Sequence, residues 1–373
     1  RSSICRDQKM KHIAVIDIGK TNAKLALVDL PARAEIAVGT MPNRVLASGP
    51  YPHFDTEALR GFLGEGLARM QAAHGIDGIS VTTHGACAAL LAADGSLTTP
   101  VLDYEHDGPD ALRPQYEALR PPFAETGSAA LPHGLNLGAQ LHWLLATVPG
   151  LEERVAQVVT WPQYWGHWLT GVGASDLCSI GCHTDLWNPH AGTFSSLPER
   201  LGLAGKIAAP RKPGEVLGLL RAELQAEWGL GPVPVLCGIH DSNASLLPHL
   251  LAREAPFAVV STGTWVVAMA MGARAVKLDP ARDVLVNVNA MGQPVPSARF
   301  MGGREYEIIR AGHAPVAGPE DAARVLARGL MLFPSVVADS GPFQGRKASW
   351  STGTRSSAET EVALGYYLAL MTA

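Results

Sequence analysis

The sequence predicts an α/β protein built from two similar domains, and three observations carry that reading. Each half of the chain holds a strand–turn–strand unit with small polar residues at the turn, at residues 12–30 and again at 257–271. After the first unit the apolar period changes: Leu59, Phe62, Leu63, Leu67 and Met70 recur at helical spacing. The length of 373 residues suits roughly two domains, each able to bury its own core. The expected division is 10–236 and 237–373, with the two domains facing a cleft. The repeat is loose and has no fixed short period, which excludes a solenoid.

Composition narrows the function. Hydrophobic residues make up 47% and charged residues 17%, ordinary for a globular chain. The net charge is −4 and no Lys/Arg cluster exists, which argues against nucleic acid as a partner. No apolar stretch reaches the roughly 18 residues of a spanning helix, so no membrane partner is expected. Residues 1–9 are polar and lack the apolar core of a secretory signal; they read as an expression remnant ahead of Met10. Five cysteines, Cys5, Cys87, Cys178, Cys182 and Cys237, form no regular disulfide framework. Cys178, Cys182 and His183 resemble half a zinc set without its second half. Reduced thiols in a cytoplasmic protein are the better reading.

In chain order, residues 12–17 are a short β-branched run, a buried strand. Gly19-Lys20-Thr21-Asn22 interrupts it, residues 23–30 resume it, and 34–40 form a third strand. The helix that follows is capped by Asp55 or Thr56 and ended by Gly75. Residues 78–83 form a strand leading into Thr83-His84-Gly85, and Asp94-Gly95 is a strong hairpin turn. Helices are expected at 137–145 and 163–169, and a loop at 210–214. Residues 235–239 form a strand, followed by a helix to about residue 251. Strands at 257–261 and 265–271 flank Thr262-Gly263-Thr264. The final helix, 359–373, carries Val362, Leu364, Tyr367, Leu368 and Met371 on an apolar face for which no later element offers a partner.

Three stretches suit phosphate and proton chemistry. In Asp17-Ile18-Gly19-Lys20-Thr21-Asn22-Ala23-Lys24 a tight turn offers backbone N–H groups to an anion. Thr21 and Asn22 add side-chain donors, Lys24 a positive charge, and Asp17 a carboxylate for Mg2+. A plain hairpin explains the same residues, and neither a Walker loop nor a dinucleotide fingerprint is present. In Gly238-Ile239-His240-Asp241 a carboxylate at a strand end can accept a hydroxyl proton or simply cap a helix. Ser261-Thr262-Gly263-Thr264-Trp265 suits phosphate oxygens and equally a hairpin.

Taken together and in order, these stretches resemble the FGGY carbohydrate kinases. The family's Asp-x-Gly-Thr-Thr-Ser/Asn-x-Arg/Lys loop is similar to the stretch from Asp17 to Lys24. Its sugar-site element resembles Thr82-Thr83-His84-Gly85, and its Ser/Thr-Asp-x-Ser segment resembles Ser175-Asp176-Leu177-Cys178-Ser179. Its Gly-Gly-x-Asp element, with the catalytic Asp, matches Gly238 to Asp241, and its second phosphate loop matches Gly263-Thr264-Trp265. The resemblance is to the rhamnulokinase- and xylulokinase-like members, and the Ser-Gly-Thr-Trp form is especially like the rhamnulokinase branch. The order agrees over roughly residues 10–310.

The resemblance implies an actin/hexokinase-like (ribonuclease H-like) two-domain α/β fold and ATP-dependent phosphorylation of a sugar, a ketose or related polyol. Asp241 would be the base and Asp17 would hold Mg2+. Gly19, Lys20, Thr21, Asn22, Lys24, Thr262, Gly263 and Thr264 would hold the ATP phosphates. Thr83, His84, Tyr104, Glu105 and Asp241 would face the sugar. A homodimer is compatible with it. The alternatives are a non-catalytic sugar or nucleotide sensor and another ATPase on the same fold.

Three departures stand out. Leu102-Asp103-Tyr104-Glu105-His106-Asp107 replaces the family's Trp-x-Asp-x-Arg, and Lys20 replaces a Thr. The adenine-binding Gly-Gly motif would follow the 359–373 helix, which implies a polypeptide longer by about 60–120 residues. Trp161, Trp165 and Trp168 sit at helical spacing, more often packing than sugar stacking. His183, His240 and His249 read as ordinary histidines. Arg299 and Arg304 fit either the cleft or surface ion pairs.

Overall fold

The computed structural model describes residues 10–274 and 276–373; residues 1–9, including Cys5, lie outside them. The chain forms two compact units. The first runs to Leu251 and includes Asn287–Pro294; the second comprises Ala252–Val286 and Val295–Ala373. The expected division after residue 236 falls within the first unit's sheet, because Ile239–His240 still pairs with Gly78–Thr83.

The first unit is organised by a seven-stranded mixed sheet. Its order is Val216–Leu219, Pro234–Leu236, Gly78–Thr83, His12–Ile18, Asn22–Asp29 and Ala34–Pro42, with Ile239–His240 also on Gly78–Thr83. The alternation read from the sequence sets the faces: Ala14, Ile16 and Ile18 are fully buried, as are Ala23, Leu25 and Leu27 on the neighbouring strand. Helix Thr56–His74 covers one side with Leu59, Leu63, Leu67 and Met70. Each such side chain contributes about 1.5–3 kcal/mol on burial. Asp55 caps that helix by accepting from the Ala58 N–H at 3.0 Å, and Gly75 ends it with φ 76°.

Helix Trp161–Thr170 begins two residues earlier than expected and continues one residue further. Trp161 and Trp165 are fully buried in the core, and Trp168 packs on Trp165 and Trp228. The expected 235–239 strand is broken in two. Gly238, at φ 91°, breaks it where an added Cβ would lie 2.8 Å from the Val81 carbonyl oxygen, a place only glycine suits.

The second unit holds a four-stranded sheet in the order Phe257–Thr262, Val266–Met271, Pro294–Phe300, Val284–Val288. Helices Gly302–Arg310, Pro319–Arg328 and Ser357–Thr372 follow. Ser356 and Glu359 form a capping box on the last helix. Part of its apolar face is covered by elements that precede it in the chain. Leu364 and Tyr367 are buried against Leu332, Tyr306 and Ile309, earlier elements whose side chains the linear pattern did not align. The Tyr367 hydroxyl donates to buried Glu305 at 2.8 Å. No described helix is long and apolar enough to cross a membrane.

Candidate active site

Register places the site. Within the first unit three parallel strands end side by side: Asp17 is opposite Thr82 and Ile18 opposite Thr83, while Ile239 is opposite Thr82 and His240 opposite Thr83. The chain leaves these ends as the 19–22 turn, as His84-Gly85, and as helix Asp241–Ala252. The carboxyl ends of parallel strands are where α/β sheets gather functional groups. Asp17, Thr83, His84, His240 and Asp241 are therefore brought together by backbone pairing.

The 19–22 turn is firmly built. The Gly19 N–H donates to the Asn22 carbonyl at 2.9 Å. Asn43 clamps the turn from the next strand: its backbone N–H donates to the Thr21 carbonyl at 2.9 Å and its side-chain amide to the Gly19 carbonyl at 2.8 Å. Thr21 and Asn22 stay exposed, with their side chains 3.2 Å apart. Lys24 pairs with Glu35 at 2.6 Å. The Lys20 ammonium forms an ion pair with Asp103 and lies 3.2 Å from Glu105. It also sits over the rings of Tyr104 and Phe54. The side chains of Lys20, Tyr104 and Glu105 thus form one group.

The electrostatics around the strand ends are uneven. Burial, then repulsion from Asp241, raise the Asp17 carboxyl above its usual range, partly offset by Lys24. Two carboxylates that repel each other this way are relieved by a hard divalent cation, so these oxygen donors suit Mg2+. Burial pushes His84 down to about 4, so its imidazole is neutral at pH 7. His84 Nδ1 is 2.8 Å from the Gly85 carbonyl, which fixes Nδ1 as the donor. Nε2 is left as a buried acceptor with no hydrogen-bond partner among the described residues. The ring packs among Phe54, Tyr104 and Trp161. Thr83 is fully buried and donates to the His84 carbonyl at 2.8 Å.

Asp241 keeps 42% of its side chain exposed, and His240 Nε2 lies 3.3 Å from its Oδ1. Burial would lower His240, but the neighbouring Cys182, Asp241 and Asp176 outweigh it and hold the imidazole up at about 9. Burial likewise works to raise Cys182, while His183 and His240 bring it down to about 5. Asp176 is fully buried and accepts from the N–H groups of Cys178 and Ser179, each at 3.0 Å. Read from sequence as ordinary, His240 is the buried neighbour of the candidate base; its one sequence signal is adjacency to Asp241. No local sequence motif marks Asn43 or Phe54.

The second unit carries the other expected loop. Thr262, Gly263 and Thr264 are exposed at the turn between two antiparallel strands, closed by the Gly263 N–H donating to the Trp265 carbonyl at 2.9 Å. The start of helix Gly302–Arg310 presses against this turn: an added Cβ on Gly303 would lie 2.0 Å from the Gly263 carbonyl oxygen. A cavity of about 760 Å³ opens there, lined by Thr262, Gly263, Gly302, Gly303 and Tyr306 among others. Arg299 pairs with Asp283 at 2.7 Å and lies over Trp265; Arg304 pairs with Glu307 on the surface.

Known proteins match this layout. The model of the FGGY family of carbohydrate kinases, N-terminal domain, matches residues 12–248, and that of carbohydrate kinase FGGY, C-terminal domain, matches 254–373. An L-fuculokinase of Salmonella typhi is 26% identical over 271 residues, covering 70% of this chain and 57% of the relative. A rhamnulokinase of Bacteroides thetaiotaomicron is 26% identical over 263 residues, covering 67% and 53%. The chain thus spans somewhat more than half the length of these curated relatives. A crystal structure of a carbohydrate kinase from Novosphingobium aromaticivorans superposes with TM-score 0.89 at 39% identity, covering 96% of this chain and 81% of that one. A xylulose kinase from Rhodospirillum rubrum, 22% identical and covering 96% and 77%, superposes with TM-score 0.73 and shows the fold. With both domain models matched along most of its length and the actin/hexokinase-like fold in place, the chain belongs to the FGGY family of carbohydrate kinases.

Proposed function

We propose that this protein transfers the γ-phosphoryl group of ATP to a hydroxyl of a ketose or related polyol, with Asp241 as general base. The observation that carries this reading is the gathering of Asp17, His84, His240 and Asp241 at the ends of adjacent parallel strands. Asp241 is exposed enough to meet a substrate and is backed by a buried imidazole. It takes the proton of the acceptor hydroxyl, whose oxygen then attacks the γ-phosphorus as ADP leaves. Positioning and charge stabilisation supply most of the rate in such transfers.

Asp17 is the residue to hold Mg2+, which when bound would neutralise charge on the phosphates. In the first unit phosphate contacts fall to Gly19, Thr21 and Asn22; the Thr262-Gly263-Thr264 turn of the second unit offers donors of the same kind. Lys24, already paired with Glu35, adds positive charge near the first loop. The neutral His84 offers Nε2 as an acceptor to a sugar hydroxyl, and Tyr104 flanks it.

The test is ADP release with Mg·ATP and a panel of ketoses and polyols. Sugar-dependent ADP formation, with a phosphorylated sugar as co-product, supports the reading. Sugar binding without turnover would make the protein a sensor, and sugar-independent hydrolysis would make it another ATPase.

A further inference from the structure

Two of the places where this chain departs from the family pattern meet in space. Lys20 stands at one and the stretch from Leu102 to Asp107 at the other. They lie 83 residues apart for the Lys20–Asp103 pair. The Lys20 ammonium nevertheless pairs with Asp103, lies 3.2 Å from Glu105, and sits 4.8 Å from the Tyr104 ring centre and 5.2 Å from that of Phe54. The same Asp103 oxygen, Oδ1, also accepts from the Glu105 N–H at 3.2 Å. The Lys20 side chain is 19% exposed and Asp103's 10%, while Glu105's is 62% exposed.

An ammonium has three donors and a carboxylate about four acceptor positions. Asp103 takes one of these donors and the Glu105 carboxylate lies 3.2 Å away as an ion pair, which leaves N–H capacity on Lys20 and most of the Glu105 carboxylate for a ligand. A single sugar hydroxyl satisfies both, accepting from Nζ and donating to Glu105. Tyr104 walls the same spot and touches His84, the buried acceptor. The charge count is one cation against two carboxylates. A further carboxylate on the acceptor would add like charge to a site already net negative, which costs more than lost contacts alone.

We propose that Lys20, held by Asp103 and Glu105, is an acceptor-selecting residue that restricts this kinase to neutral sugars and rejects aldonic acids. The proposal rests on the phosphotransfer reading and assigns Lys20's side chain to the sugar rather than to the nucleotide phosphates.

The test uses Mg·ATP with L-fuculose, L-rhamnulose, D-xylulose, glycerol and D-gluconate, on the wild type and on Lys20→Met, Lys20→Arg and Glu105→Gln. For the best neutral acceptor, wild-type kcat/KM should exceed that for D-gluconate by about 100-fold or more. Lys20→Met should raise the KM of that acceptor about 10-fold or more while the KM of Mg·ATP moves less than about threefold. Lys20→Arg should recover part of the loss, because it keeps the charge. Glu105→Gln, at an exposed side chain that does not endanger folding, should narrow the discrimination against D-gluconate.

D-gluconate as the best wild-type acceptor overturns the proposal. So does a Lys20→Met variant whose Mg·ATP KM rises while its acceptor KM does not, or a Glu105→Gln variant with unchanged selectivity. If no acceptor yields ADP, the phosphotransfer reading fails by itself. Calorimetric binding of the same sugars without nucleotide then decides Lys20: weaker neutral-sugar binding by Lys20→Met upholds its role, and equal or absent binding overturns it.

Discussion

His240 Nε2 lies 3.3 Å from Asp241 Oδ1, and the two residues are consecutive where a buried strand becomes a helix. The imidazole is held up to about 9, burial being outweighed by Cys182 and the carboxylates, so a cation stands beside the candidate base at neutral pH. It fixes one oxygen of Asp241 and softens repulsion between that carboxylate and incoming phosphates. His240→Gln should lower kcat about tenfold or more with a smaller change in sugar KM, read from steady-state kinetics. The same contact holds Cys182 down to about 5, so between pH 6.5 and 9 the proton His240 keeps is the one Cys182 has given up, and the pair adds little pH dependence to stability there.

His84 does give stability a pH dependence. Its folded pKa is about 4 because of burial, below the ordinary value of about 6.5. The unfolded chain therefore takes up a proton that the folded one refuses. Stability is full above pH 6.5 and falls as pH drops toward 4, by about 2 kcal/mol between pH 6.5 and 5. His84→Asn should lose less over that interval in urea titrations, and its sugar KM should rise because the Nε2 acceptor is gone.

Asp17→Ala should damage Mg·ATP use more than sugar binding. The carboxyl is raised by burial and by Asp241, so removing it deletes one of two mutually repelling charges and does not expose a buried cation. Sugar affinity measured without nucleotide should change less than about threefold, while kcat/KM for Mg·ATP falls by about 10²-fold or more. A collapse of sugar affinity with unchanged Mg2+ dependence would remove Asp17 from the metal role.

Gly303→Ala tests the second unit's loop. The added Cβ would approach the Gly263 carbonyl oxygen to 2.0 Å, a backbone clash that only movement of the 262–264 turn can relieve. Glu305, two residues on, is locked by Tyr367 and by the Val337 N–H, so the turn is the part that gives way. The KM of Mg·ATP should rise about tenfold or more, and sugar binding measured without nucleotide should be unchanged.

Much of this layout was legible in the chain. The β-branched run before Gly19 and the helical period from Leu59 to Met70 dictate elements the structure reproduces, and Asp55 and Gly75 cap as expected. Asp17, His84 and Asp241 stand at strand ends that motif order also pointed to. What the sequence left hidden depends on contacts between distant residues. Lys20 stands in a stretch that resembles a phosphate loop, yet its ammonium is drawn to Asp103 across the fold. His240 read as ordinary because its importance comes from Cys182, Asp176 and Asp241 surrounding it. The cover of the last helix, Leu332 and Tyr306, lies earlier in the chain and shares no local pattern with it.

Sugar-dependent ADP release by Asp241→Asn, compared with the wild type, tests the proposed chemistry most directly. The amide keeps the shape and cannot accept the proton, and the side chain is 42% exposed, so the fold should survive, with the melting temperature lowered only by the lost pairing with His240. The predicted result is a fall in kcat of at least about 10²-fold with sugar binding retained. A folded variant that phosphorylates its sugar within a few-fold of the wild-type rate would contradict Asp241 as the base.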